Sequence, residues 1–535
     1  MAELLVTGLL HTMDPQRPRA QAALVRDGRF VRVGARDECA AAAGPSVELL
    51  DAGEGCATPG LADAHGHLFH LGRALIDVDL SGARSEDECV ARVAERARET
   101  PRGQWIRGVN WDQTRWTPRA FPTLDALSVA VPDHPVALTR VDVHALWANA
   151  RALAECGISR ATPDPPGGKI LRRASGVPSG TLIDNAGDLI TSRIPRLRPA
   201  QMEALVLRAA RAVVKLGVTS VHDACVGPEL GEVLRTLAAK DALPLRVSAM
   251  LDGQVTASDA QLDDQLALWA RTPEVGRLSV RAVKLFADGA LGSRGAALLE
   301  PYEDEEGNTG LYTTPPALIR ARTLRAARAG FQPAVHCIGD RACREVLRLF
   351  AELSRLNLAA VRPRAEHLQV LRADDAPLLR EGNVVASMQP VHATSDGRWA
   401  EERLGSGTLR QKGAYAWRQA LDAGAVLAFG SDFPVESADP RAGIYSAVAR
   451  RVAGAPADAP AWMPEQRLSR EEALRAFTAG AAFAERAEHR RGMIREGYDA
   501  DLTLFGADVL EVPEQELPRI RIAATVVGGR IEYRG

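Results

Sequence analysis

The sequence has little that would staple, anchor or electrostatically recruit it. Its seven cysteines (Cys39, Cys56, Cys89, Cys156, Cys225, Cys337 and Cys343) are scattered, odd in number and without a Cys-x-x-Cys pair. That excludes a disulfide framework and predicts reduced, mostly buried thiols in a cytoplasmic protein. No apolar run approaches the roughly 20 residues that span a bilayer. The start, Met1-Ala2-Glu3-Leu4-Leu5-Val6, has an acid where a secretory signal carries positive charge, and Asp14-Pro15 soon closes the run. A formal net charge of -2 leaves no electrostatic case for nucleic acid or an anionic membrane. The expected partner is a small molecule of neutral or mixed charge, with a homodimer left open as the assembly.

Lysine is scarce as well. Of 66 lysines and arginines only five are lysine: Lys169, Lys215, Lys240, Lys284 and Lys412. Arginine is therefore the default cation, and Lys284 inside the apolar run Val280 to Phe286 is costly to bury without a role. Unlike arginine, a buried amine can lose its proton and combine with CO₂ to form a carbamate able to bridge two metal ions. The competing role is a salt bridge to a neighbour such as Asp288.

What is present centres on Thr58-Pro59-Gly60-Leu61-Ala62-Asp63-Ala64-His65-Gly66-His67-Leu68. This reads as a buried strand ending in two histidines one residue apart. Side chains alternate along a strand, so His65 and His67 face the same way and can share one ion. Lys284, His336, His367 and Asp432 each stand at the end of another apolar run.

At 535 residues the chain is long enough for one α/β barrel with additions. Eight strand-like runs can be counted: one ending at His65, then Val218 to Asp223, Leu243 to Leu251, Val280 to Phe286, Gln332 to Cys337, Arg364 to Val370, Val384 to Gln389 and Val426 to Ser431. Eight parallel strands with intervening helices predict a (β/α)₈ TIM barrel whose site lies at the carboxyl ends of the strands. Both ends of the chain carry short β runs instead. We expect residues 1–56 plus 490–535 to form a composite β-sandwich, 57–69 plus 206–489 the barrel, and 70–205 an inserted lid or substrate domain.

Pro59-Gly60-Leu61 through His65-Gly66-His67, the single His336 and His367, and Gly430-Ser431-Asp432-Phe433-Pro434 resemble the amidohydrolase superfamily. The run Lys284 to Arg294, with Gly217 to Ala224 and Gln389 to Ala393, resembles its YtcJ-like branch, which includes N-substituted formamide deformylases. The resemblance implies a metal-dependent hydrolase of amide-type C–N bonds with one or two divalent ions, zinc first among them. It implies that His65 and His67 bind one metal and His336 and His367 a second. Asp432 would be ligand and general base, and Lys284 would be an N6-carboxylysine bridge.

His222 and His392, at the expected ends of strands 2 and 7, are candidates to stabilise the oxyanion. Trp111, Asp112 and Trp116 are candidates for a pocket wall, although aromatics more often pack a core. Arg294 is placed to meet a substrate carboxylate or to pair with an acid. A purine- or pyrimidine-type deaminase would carry glutamate three residues after His336, where this chain has Gly339. Two alternatives stay open: a phosphotriester or ester hydrolase on the same centre, and a non-catalytic regulatory relative.

Overall fold

The computed structural model describes residues 3–254, 258–456 and 458–535, without the side chain of Arg398. Eight parallel strands form the barrel: β1 (Leu61–Gly66), β2 (Val218–Val226), β3 (Arg246–Asp252), β4 (Leu278–Phe286), β5 (Gln332–Cys337), β6 (Arg364–His367), β7 (Val385–Met388) and β8 (Val426–Phe429). Each pairs with the next in sequence, the order expected when a helix returns the chain between parallel neighbours. The helix Pro199–Val214 shows how. Proline opens it, where a missing N–H is harmless, and Met202, Val206, Ala209 and Val213 form one buried stripe at helical spacing.

β8 and β1 lie side by side without a ladder, and three groups clasp the seam. The Asp432 amide donates to the His65 carbonyl at 2.7 Å, and the His67 amide to Phe433 at 2.9 Å. Buried Asp63 receives the Ser431 hydroxyl at 2.6 Å and the His65 amide at 3.1 Å. Gly66 is required there, because a Cβ would stand 2.4 Å from the Phe433 ring. The seam thus sets His65, His67 and Asp432 against one another.

Both ends of the chain meet in one seven-stranded sheet. Its order is Arg530–Arg534, Ile522–Val527, Leu502–Phe505, Glu48–Pro59, Glu3–His11, Arg19–Arg26, Arg29–Gly34. The long strand Glu48–Pro59 runs through Gly60 straight into β1. Thr503, opposite it, donates from Oγ1 to the Gly217 carbonyl at 2.6 Å and accepts from the Leu61 amide at 3.1 Å, tying this sheet to the barrel floor.

Between β1 and β2 a separate six-stranded sheet spans Val78–Asp79 to Pro178–Asp184. Its core holds Trp111, Trp116, Trp147 and Leu138. Among the described residues no helix is long and apolar enough to cross a membrane, and all seven cysteines are free, five of them buried.

Candidate metal centre and substrate cavity

A cavity of about 570 Å³ lies over the carboxyl ends of the barrel strands, between them and the loops of the six-stranded sheet. His65, His67, Lys284, His336, His367, His392 and Asp432 all line it. Asp432 is central. Its Oδ1 is 3.0 Å from His67 Nε2 and 3.6 Å from His65 Nε2, and its Oδ2 is 3.9 Å from His392 Nε2. Burial opposes its ionisation, but the His67 hydrogen bond and the neighbouring His65 and His367 hold the carboxyl well below its usual value.

Second partners orient the rings. His65 Nδ1 donates to buried Glu366 at 2.5 Å, His67 Nδ1 to the Ala224 carbonyl at 3.0 Å, and His367 Nδ1 to Gln389 Oε1 at 2.9 Å. Each commits Nδ1 to a partner, the arrangement by which metal-binding histidines keep Nε2 for an ion. Burial and the nearby Lys284 push His65 down to about 4, so it is neutral at physiological pH. Among the described residues, two sets have ligand atoms mutually within 4.8 Å: His65, His67, Asp432 and His367, His392, Asp432. His336 is in neither set. Its Nε2 is turned toward the Gly289 carbonyl at 3.5 Å, with its ring 4.6 Å from that of His367.

Lys284 is 1 % exposed, 3.3 Å from His65 Nε2, and packed over the Phe286 ring at 4.3 Å. Burial lowers its pKa, against the pull of Glu366 and Asp432. The expected alternative, a Lys284–Asp288 bridge, is not what forms. Asp288 instead receives the Ala297, Ile338 and Gly339 amides at 2.8 to 3.0 Å.

Four expected substrate or catalytic residues lie elsewhere. His222 sits inside β2, which continues to Val226, so its ring lies deep in the barrel. There it accepts from Arg364 at 3.0 Å and does not line the cavity. Trp111 and Trp116 are buried in the six-stranded sheet's core, donating to the Leu138 and Ala83 carbonyls at 2.9 and 3.0 Å. Arg294 is held by Asp304 at 2.8 Å and Glu305 at 3.5 Å. Asp112 does line the cavity, beside Arg140 at 3.2 Å, and His392 reaches it from the first turn of the helix Pro390–Leu404.

Glu366 was missed by sequence reasoning. It is fully buried, and its Oε1 lies 2.7 Å from Arg364 Nε, out of line for a hydrogen bond. Its signal was present: a glutamate two residues from an arginine and next to a histidine in a short run read as a barrel strand. His144 was missed as a cavity residue. It projects from the six-stranded sheet, bonded to Asp184 at 2.6 Å, with its ring 5.5 Å from His336.

The deaminase alternative meets a steric bar. A Cβ on Gly339 would stand 2.0 Å from the Ala297 carbonyl oxygen. Gly339→Ala is expected to cost about 1 to 3 kcal/mol through overpacking, checked by thermal denaturation; an unchanged melting temperature would refute the clash.

A (β/α)₈ barrel with histidines and a carboxylate converging at the strand ends is the architecture of metal-dependent hydrolases. The chain belongs to the Amidohydrolase family, whose model matches residues 48–533. YtcJ of Bacillus subtilis is 32% identical over 98% of this chain and 98% of its own. An N-substituted formamide deformylase of Arthrobacter pascens is 28% identical over 99% and 98%. The crystal structure of an uncharacterized metal-dependent hydrolase from Pyrococcus horikoshii aligns with TM-score 0.76 at 25% identity, over 96% of this chain and 99% of that one.

Proposed function

We propose that this protein hydrolyses an amide or N-substituted formamide bond of a small molecule, releasing an amine and a carboxylate. The observation that carries the reading is the convergence of His65, His67 and Asp432 within 4.8 Å beside buried Lys284. The donor set fits a divalent ion, zinc first, because each histidine has its Nδ1 committed, which leaves Nε2 as the ligand atom. Such an ion supplies Lewis acidity and activates water at neutral pH. Asp432 accepts the proton from the attacking water and returns it to the leaving nitrogen. His392 Nε2 faces the cavity beside Asp432 and donates to the acyl oxygen as it gains charge.

Lys284 is read as the carbamate bridge: its ammonium first loses one proton, and the neutral amine then joins the carbon of CO₂ and releases a second, so that a cation becomes an anion. His336 and His367 would then hold a second ion. Residues 70–205 are read as the lid, supported by Asp112, His144 and Asp184 lining the cavity from above. The formamide deformylase relative supports the bond type.

Elemental analysis, a mass measurement for a CO₂ adduct on Lys284, and a screen of N-formyl and N-acyl amines test this together. Two ions per chain, the adduct, and hydrolysis abolished by chelation and restored by metal are expected. One ion with an unmodified lysine would remove the bridge and leave a single-ion centre at His65, His67 and Asp432.

A further inference from the structure

Beyond the metal-binding cluster the cavity has a second polar wall, built by the helix Pro390–Leu404 and the loop after β8. His392 is 7 % exposed, and its Nδ1 faces the side-chain amide nitrogen of Gln369 at 3.3 Å. An amide nitrogen donates, so His392 Nδ1 accepts and the ring proton sits on Nε2. That Nε2–H is buried at the cavity edge without a hydrogen-bond partner. A buried donor left open is costly, and one aimed into a cavity calls for a ligand oxygen.

One turn along the same helix face, Asp396 lines the cavity with one oxygen held by the Tyr415 hydroxyl. Glu436, from the loop after β8, lines the same wall beside Ser395. Among the described residues neither carboxylate is hydrogen-bonded to an arginine or lysine. Three other acids of the cavity wall differ: Asp112 and Asp142 are paired with Arg140, and Asp184 with His144. Arg140, whose charge reaches Asp396, is thus already engaged. Burial raises both Asp396 and Glu436 from their usual values, a penalty that a bound cation relieves.

We propose that Asp396 and Glu436 form a subsite for the cationic end of the substrate, a protonated amine or guanidinium group, while His392 Nε2–H receives its acyl oxygen. As a substrate site it rests on the C–N hydrolase reading; the recognition of charge does not. The substrate class is then an N-acyl or N-formyl compound with a positively charged group remote from the scissile bond.

Calorimetric titration of the metal-loaded protein with benzylguanidine and with benzylurea, its neutral near-isostere, tests charge recognition without turnover. Benzylguanidinium is expected to bind about tenfold tighter or better. The ratio falls toward one in D396N/E436Q and is retained in D396E/E436D. Equal affinities in the unaltered protein, or a preference that survives D396N/E436Q, overturn the subsite. In parallel, N-formyl amines with a remote ammonium group are expected to show about tenfold higher kcat/KM than neutral counterparts. If the probe preference holds and no N-formyl or N-acyl amine is hydrolysed, the cation subsite stands and the C–N hydrolase reading falls.

Discussion

Asp432→Asn is expected to lower kcat/KM by about 10³-fold or more on any N-formyl or N-acyl amine the protein hydrolyses. The carboxylate is asked to do two things at once. Its Oδ1 lies 3.0 Å from His67 Nε2 and 3.6 Å from His65 Nε2, closing the proposed ligand set, while its Oδ2 faces the cavity beside His392. Asparagine keeps the shape and tolerates the left-handed backbone at this position, φ 59°. The substitution therefore isolates the negative charge and the proton-accepting oxygen. Steady-state kinetics with metal content measured in parallel checks it. Rates near those of the unaltered protein at full metal loading would rule out Asp432 as the base.

Glu366→Gln is expected to be the most destabilising change at the site, by about 3 to 5 kcal/mol, the usual result of removing one partner from a buried charge pair. Arg364 lies inside the barrel with its guanidinium held by Glu366, the Ala64 carbonyl at 2.6 Å, Ser387 Oγ at 3.0 Å and His222. Without the carboxylate that charge has no counter-ion among the described residues, and His65 Nδ1 is left with a neutral amide oxygen in place of a charged acceptor. The effect carries a pH signature. Burial alone would raise the Glu366 carboxyl, but Arg364 and His65 outweigh it and hold it far below the usual range. A depressed folded pKa gives stability above the unfolded value of about 4.3 that is lost as pH falls through the folded value. Denaturant titrations should show the gap between the two proteins widest at neutral pH and shrinking in acid below about pH 4. A gap that is independent of pH would mean that shape, not charge, is what Glu366 supplies.

Much of this architecture was legible because local signals and burial agree. A buried parallel strand reads as an apolar run of limited length, and most of the barrel strands were such runs, Arg364–His367 being the plainest exception. Cavity residues are legible when a polar residue ends such a run, as with His65, His336 and His367. The failures share a cause. His222 was placed at a strand end because Asp223 seemed to close the run, whereas ladder pairing carries β2 to Val226 and leaves His222 deep in the barrel. Trp111 and Trp116 are apolar bodies with one donor each, equally suited to a pocket or a core. Backbone carbonyls brought near by a neighbouring strand (Leu138) and a loop (Ala83) settled them as core. Arg294 met acids ten and eleven residues away before any substrate.

The sequence by itself determined the barrel, its strand order, and the kinds of atom gathered at its mouth, because side-chain alternation and hydrophobic period are properties of neighbouring residues. Which of those atoms face one another was decided by the tertiary structure alone. The clasp between β1 and β8 sets Asp432 against two histidines 365 and 367 positions away. The six-stranded sheet brings His144 to within ring contact of His336. Such distances depend on chain closure over hundreds of residues, which no local pattern encodes.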